Sequence, residues 1–135
     1  MKLKSCLKSF IFLIPLILGF SKALAEPTFV QSKSLDSNFY LGLNFNNDGT
    51  KMYTVNAGNH PLDAVTEFIL TTPYDISTAT VNNTKGVSRG GDAQATQVVF
   101  NNDGTKMFIV NHAGNMSVDE YLLSTAFDVS TATRG

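Results

Sequence analysis

The chain has 135 residues, of which 43% are hydrophobic and 16% are charged. These values fit a single globular domain, and they exclude a disordered chain, a collagen-like chain and a polytopic membrane protein. The formal net charge of −1 hides a division. Four lysines lie between Met1 and Ala25, and every acidic side chain follows them together with only six basic ones. This acidic remainder argues against a nucleic-acid partner, since phosphate binding needs clustered Lys and Arg.

The segment from Met1 to Ala25 has the three-part pattern of a secretory signal peptide. Three lysines precede an apolar run, Phe10–Phe20, and Ala23-Leu24-Ala25 then provides a cleavage site before Glu26. The run is shorter than the roughly 20 residues that a membrane span needs. We therefore predict cleavage after Ala25 and a secreted or periplasmic protein that has left the membrane, with an uncleaved anchor as the alternative. Cleavage would remove the single cysteine, Cys6, and with it any disulfide or catalytic thiol.

The rest of the chain contains an internal repeat. The segment Phe45–Asn56 recurs as Phe100–Asn111, with ten of twelve positions identical. Val65–Thr80 likewise matches Val118–Thr133. The two copies differ in spacing by two residues, and the difference falls in residues 57–64, where a loop tolerates an insertion. This similarity indicates the duplication of one structural unit.

Each copy has the pattern of consecutive short β-strands. Asp48-Gly49 and Asp103-Gly104 are turn dipeptides in which the glycine takes a positive φ, and we assign these four residues to structural turns. The second strand of each copy is apolar on both faces, so we expect both faces to be covered. We predict strands at 41–45, 52–55 and 65–70, counterparts at 96–100, 107–110 and 118–123, and a fourth strand that starts near Thr80.

The motif Phe-x-x-Asp-Gly-x-Lys-Met-aromatic-x-Val-Asn resembles the first two strands of bacterial β-propeller repeats of the Tyr-Val-Thr-Asn class. The stretch Leu70–Ala79 is similar to a linker in propeller arrays of exported bacterial and phage proteins. The resemblance implies an all-β fold with four-stranded propeller blades at about 38–86 and about 93–135, and an outer strand at about 28–32. Propeller rings have about four to eight blades. Two blades therefore imply either several chains in one ring or a remnant of a longer array.

Four residues near the ends of the second strands are candidate binding residues. His60 and His112 follow these strands and would meet at the mouth of a ring, where imidazole groups bind a metal ion or an anionic substrate. The alternative is an exposed loop histidine, and no spacing of further ligands supports a metal site. Asn56 and Asn111 end the matching strands and are included as binding residues.

The acidic residues of the third strands are Glu67, Asp119 and Glu120. Paired carboxylates can perform acid–base catalysis, but we expect these three at polar positions on partly exposed strands. The sequence also lacks a serine-nucleophile motif, a phosphate-binding loop and a Cys/His cluster. We therefore predict no catalytic residue, no metal and no cofactor.

These observations predict an exported, non-catalytic β-propeller repeat module that serves in binding or scaffolding, with an unknown ligand or protein as its partner. A propeller-type enzyme similar to ring-opening hydrolases is one alternative, and a truncated remnant of a longer propeller protein is another. We also expect a homo-oligomer of three or four copies that completes a ring, because two blades alone would expose apolar sheet faces.

Overall fold

A computed structural model describes residues 26–35, 40–56, 63–87, 94–112 and 116–135. This part of the chain is all-β and forms two antiparallel four-stranded sheets, which confirms the predicted fold class at that level. Within these ranges no helix has the length and apolar character needed to cross a membrane. The predicted signal peptide lies outside the described residues, so its cleavage stays a prediction.

Each sheet is a meander in which strands that follow each other in sequence are paired. The first sheet consists of β1 (Tyr40–Phe45), β2 (Lys51–Asn56), β3 (Ala64–Leu70) and β4 (Ala79–Gly86). The second sheet consists of β5 (Gln94–Phe100), β6 (Lys106–His112), β7 (Ser117–Leu123) and β8 (Ala132–Arg134). A single 3₁₀ turn precedes the last strand of each sheet; the first 3₁₀ turn is Ile76–Thr78 and the second is Val129–Thr131.

The segment before β1 differs from the prediction. Residues 26–35, which include the predicted outer strand at 28–32, contain no strand in this chain. In the described part of the chain, the neighbours of β7 are β6 and β8. The segment lies against the first 3₁₀ turn, where Lys33 Nζ donates to the carbonyl oxygen of Ser77 at 3.1 Å, and Leu35 packs on the first sheet.

The turn between β1 and β2 is stabilised by the side chain of Asp48. Its Oδ1 accepts hydrogen bonds from the Thr50 hydroxyl at 2.6 Å and from the Thr50 backbone nitrogen at 3.0 Å. These bonds hold the pKa of Asp48 below its ordinary value, and the bond from the Thr50 hydroxyl has the largest effect. Asn46 N donates to Lys51 O at 3.1 Å and closes the loop. The same bonds recur between β5 and β6, where Asp103 takes the place of Asp48.

Each turn glycine lies under an aromatic ring. Gly49 and Gly104 both have a φ of +71°. A Cβ atom on Gly49 would lie 2.3 Å from Cδ2 of Tyr74, and one on Gly104 would lie 2.3 Å from Cδ2 of Phe127. The backbone fixes this approach, because Tyr74 N donates to Gly49 O at 2.9 Å and Phe127 N donates to Gly104 O at 2.9 Å. The turn therefore needs glycine for its φ and also for the space under the ring.

The main core lies between the two sheets, where one face of β2 and β3 packs against the second sheet. The rings of Tyr53 and Phe100 meet there with their centroids 4.4 Å apart. As predicted, the middle of β2 is buried on both faces. The same expectation is wrong for β6, where Val110 is exposed, because the described part of the chain covers only one face of that strand. The fully buried core side chains include Tyr53, Val55, Val65, Val98, Met107, Ile109 and Val129.

Candidate binding face

The outer face of the second sheet is the side of β6 and β7 that bears Phe108, Val110, Val118 and Glu120. Val110 and Val118 are cross-strand neighbours, and they are 38% and 64% exposed. Leu122 lies on the same face and is also exposed. Contiguous apolar surface on a soluble protein commonly marks an interaction site. This face is therefore the candidate binding surface.

At one end the outer face deepens into an open groove of about 600 Å³. Its wall is mainly apolar, and Met116 at its edge is almost fully exposed. A concave apolar surface with a few polar groups is the common form of a binding site. The groove is lined by Thr96, Val110, Asn111, His112, Met116, Ser117 and Val118.

Two of the four predicted binding residues, Asn111 and His112, line this groove. His112 is exposed at the end of β6. Asn111 is buried, and its Nδ2 donates to Ser117 Oγ at 3.2 Å and to Asp119 Oδ2 at 3.1 Å. Asp119 in turn lies 3.4 Å from Nη2 of Arg134. Asn111 therefore holds β6 and β7 in register, and His112 contributes an exposed polar side chain to the groove.

Of the other two predicted residues, Asn56 does not line the groove. Asn56 ends β2 in the first sheet and is half-buried. His60 lies outside the described residues, so its place at a common mouth with His112 stays a prediction. Among the described residues, no three His, Cys, Asp or Glu side chains are close enough to hold a metal ion.

A buried carboxylate between the two sheets was not expected from the sequence. Glu67 on β3 is fully buried, so its assignment to a partly exposed position is wrong. Lys51 Nζ lies 3.0 Å from its Oε1, and Asn82 Nδ2 donates to the same oxygen at 2.7 Å. The second sheet supplies the remaining bond, from Val129 N to Glu67 Oε2 at 3.1 Å. Because these partners satisfy both oxygens, the charge is tolerated between the sheets.

Phe127, two residues before Val129, also takes part in this contact. Its carbonyl oxygen accepts two hydrogen bonds from side chains of the first sheet. Lys51 Nζ donates to it at 2.9 Å and the Tyr53 hydroxyl at 2.7 Å. Burial, together with the nearby charge of Glu67, raises the pKa of Tyr53 far above its ordinary value. The hydroxyl therefore stays protonated and remains a donor. Lys51, Tyr53 and Glu67 together bind the backbone that leads into the second 3₁₀ turn.

The outer face carries the same ion pair in exposed form. Lys106 and Glu120 occupy the positions that Lys51 and Glu67 occupy in the first sheet, and Lys106 Nζ lies 2.8 Å from Glu120 Oε1. The side chains of Lys106 and Glu120 are 44% and 43% exposed. The outer face thus presents apolar side chains beside an ion pair. The equivalent pair in the first sheet, Lys51 and Glu67, binds the backbone at the second 3₁₀ turn. Sequence reasoning could have found this pair from the repeat, since Lys and Glu recur at matching positions.

Comparisons of the chain with protein-family models, with curated proteins and with solved structures give no match.

Proposed function

We propose that this protein is an exported, non-catalytic repeat module of the β-propeller type that binds another protein through the outer face of its second sheet. The observation that carries the proposal is the exposed apolar surface of the cross-strand neighbours Val110 and Val118, which continues into the groove beside His112. This surface lies on paired strands that are anchored on their other side in the core.

The chemistry of the face favours a protein partner over a small polar ligand. Its exposed apolar side chains stand beside an ion pair, and an apolar patch with a polar rim is typical of protein interfaces. The Lys106–Glu120 pair offers a donor and an acceptor next to one another. The chain binds a backbone segment with the equivalent pair, Lys51 and Glu67. Export through the predicted signal peptide completes the proposal.

Photo-crosslinking in an exporting bacterium tests the binding face. A photoreactive phenylalanine analogue is placed at Val118, and at Thr80 on β4 as a control that is also solvent-accessible but away from the face. We expect a covalent protein product from Val118 and none from Thr80. If the folded Val118 derivative forms no product, or if Thr80 forms the same one, the proposed binding face is refuted.

A further inference from the structure

We infer that the outer face of the second sheet takes the first 3₁₀ turn of a second copy of this chain, so that copies associate head to tail. The inference rests on the proposed function, because it names the partner of the same face. Its basis is the contact between the two sheets of one chain, which shows what the equivalent residues bind.

Four positions carry the same residue in both sheets but differ in burial. In the first sheet three of these side chains are fully buried and the fourth is 25% exposed. In the second sheet their counterparts are between 38% and 64% exposed. The covering sheet accounts for this difference, since the residues themselves are identical. The pairs are Val55 and Val110, Val65 and Val118, Lys51 and Lys106, and Glu67 and Glu120.

The buried ion pair binds two backbone groups on either side of one residue. Glu67 Oε2 accepts from Val129 N at 3.1 Å, and Lys51 Nζ donates to Phe127 O at 2.9 Å. The exposed pair has similar spacing within it, with 2.8 Å between Lys106 Nζ and Glu120 Oε1. It is therefore ready to bind an N–H and a carbonyl in the same arrangement.

The first 3₁₀ turn presents these two groups. Its Asp75 accepts from Ser77 N at 3.0 Å, as Asp128 accepts from the matching nitrogen in the second turn. Tyr74 has a φ of 59° and its counterpart Phe127 a φ of 58°, so the two backbones have the same course. Among the described residues, neither Ile76 N nor Tyr74 O has a hydrogen-bond partner. These atoms correspond to Val129 N and Phe127 O.

The apolar residues around the turn are also complementary to the outer face. Within the chain, Tyr53 meets Phe100; between copies, the equivalent contact joins Phe108 to Phe45, which is only partly buried. Leu43 is 52% exposed, although its counterpart in the second sheet, Val98, is fully buried between the sheets. Both halves of the proposed contact are thus apolar and at least partly exposed among the described residues.

Residues 31–35, which precede β1, are also part of the proposed contact between copies. Within the chain, β4 of the first sheet runs beside the second 3₁₀ turn. Residues 31–35 run beside the first 3₁₀ turn in the corresponding place, held by the bond from Lys33 to Ser77. When a second copy docks there, this segment lies at the outer edge of the copy's second sheet.

The association uses two different surfaces on each copy. A head-to-tail contact of this kind continues from copy to copy until the rotation closes a ring. The turn surface and the outer face can therefore be disabled separately. This property separates the proposal from a symmetric dimer in which two outer faces meet.

The test uses two variants of the exported protein in sedimentation-velocity runs at micromolar concentration. Val118→Asp disables the outer face and leaves the turn intact. Ile76→Pro removes the N–H and leaves the outer face intact; proline is compatible with the first position of a turn, and Asp75 already has the extended backbone that precedes proline. Thr80→Asp is the control. Circular dichroism verifies that each variant is folded, and Leu43→Asp, which places a charge on an exposed residue of the same half of the contact, replaces Ile76→Pro if that variant is unfolded.

We expect the unchanged protein and Thr80→Asp to sediment as closed oligomers and each disabled variant to sediment as a monomer. An equimolar mixture of the two disabled variants should form a dimer and nothing larger, because only one intact pair of surfaces remains. A monomeric unchanged protein, a mixture that stays monomeric, or an Ile76→Pro variant that still associates would each overturn the inference. If the unchanged protein is monomeric but Val118 crosslinks to a different protein, the inference fails and the proposed function stands. If no crosslink forms either, both fail.

Discussion

Replacing a turn glycine by alanine is the sharpest test of the close contact between each β1–β2 or β5–β6 turn and its aromatic ring. In Gly49→Ala and Gly104→Ala the new Cβ atom would lie 2.3 Å from the ring of Tyr74 or Phe127. The ring cannot simply swing away, since the backbone nitrogen of the same aromatic residue is bonded to the glycine carbonyl at 2.9 Å. Both the backbone conformation and the packing are therefore strained.

The expected cost has two parts. A residue with a Cβ at the observed φ of +71° loses about 1–2 kcal/mol relative to glycine. Forcing an extra carbon into a filled space costs about 1–3 kcal/mol in addition. Each substitution should thus lower the free energy of unfolding by about 2–5 kcal/mol, which corresponds to a fall of roughly 10–25 °C in Tm for a domain of this size.

Gly86→Ala provides the matched control. Gly86 ends β4, its φ is not positive, and a Cβ atom there would meet nothing within 4 Å. This substitution should leave stability unchanged or raise it by about 0.4–1 kcal/mol, because it restricts only the unfolded chain. Urea titration followed by far-ultraviolet circular dichroism measures all three variants.

A double variant separates the two parts of the cost. Tyr74→Leu removes the ring and retains an apolar side chain, so Gly49→Ala in that background should lose only the part due to φ. The two substitutions should then couple by about 1 kcal/mol or more. Equal melting temperatures for Gly49→Ala and Gly86→Ala would refute the close-contact argument, and full additivity of the double variant would refute the packing part alone.

Three further predictions concern charge and processing. In dilute, monomeric protein, Glu67→Ala should lower the free energy of unfolding by about 3–5 kcal/mol, because it leaves Lys51 without its buried partner. The matched variant Glu120→Ala on the exposed pair should cost less than about 1 kcal/mol. Similar losses for the two variants in urea titrations would contradict the assigned burial of Glu67. Hydrogen bonds from Thr hydroxyl groups hold the pKa of Asp48 and Asp103 below the ordinary value of 3.8. The stability that these two carboxylates add is therefore present above pH 3.8 and is lost as the pH falls through their lower folded-state pKa. The urea midpoints of the unchanged protein and of the variant with both Asp→Asn substitutions should therefore converge towards acid pH. A difference between the two midpoints that does not change with pH would argue against stabilisation by the turn carboxylates. Intact-mass measurement of the exported protein should give Glu26 as its first residue, and retention of the segment from Met1 to Ala25 would contradict the signal-peptide prediction.

The strands and turns could be predicted because their causes are local. Alternation of apolar and polar side chains, Asp-Gly dipeptides and β-branched residues are visible in short windows of sequence. The aromatic ring over Gly49 could not be predicted, since Tyr74 is distant in sequence and reaches the turn only after β2 and β3 have paired. The sequence favoured glycine there for its φ, and the structure adds the lack of space.

The burial of Glu67 could not be predicted from the residues around it in the sequence. Glu67 and Glu120 stand in similar sequence, on matching strands and beside matching lysines. One is fully buried and the other is exposed, because only the first has a sheet packed over it. No window around either residue contains that difference. For the same reason the sequence could select Asn111 and His112 as neighbours in a site but could not distinguish the buried amide from the exposed imidazole.

The contact between Glu67, Lys51 and the second 3₁₀ turn has a consequence for how such units can diverge. The two side chains bind an N–H and a carbonyl, which every residue except proline supplies. The residues that present these groups are therefore open to neutral drift, and Phe127 indeed stands where the other copy has Tyr74. The polar part of this contact therefore depends on the side chains of only one partner. Duplicated units can accumulate substitutions in their turns and still recognise the next unit, as long as the lysine and glutamate persist.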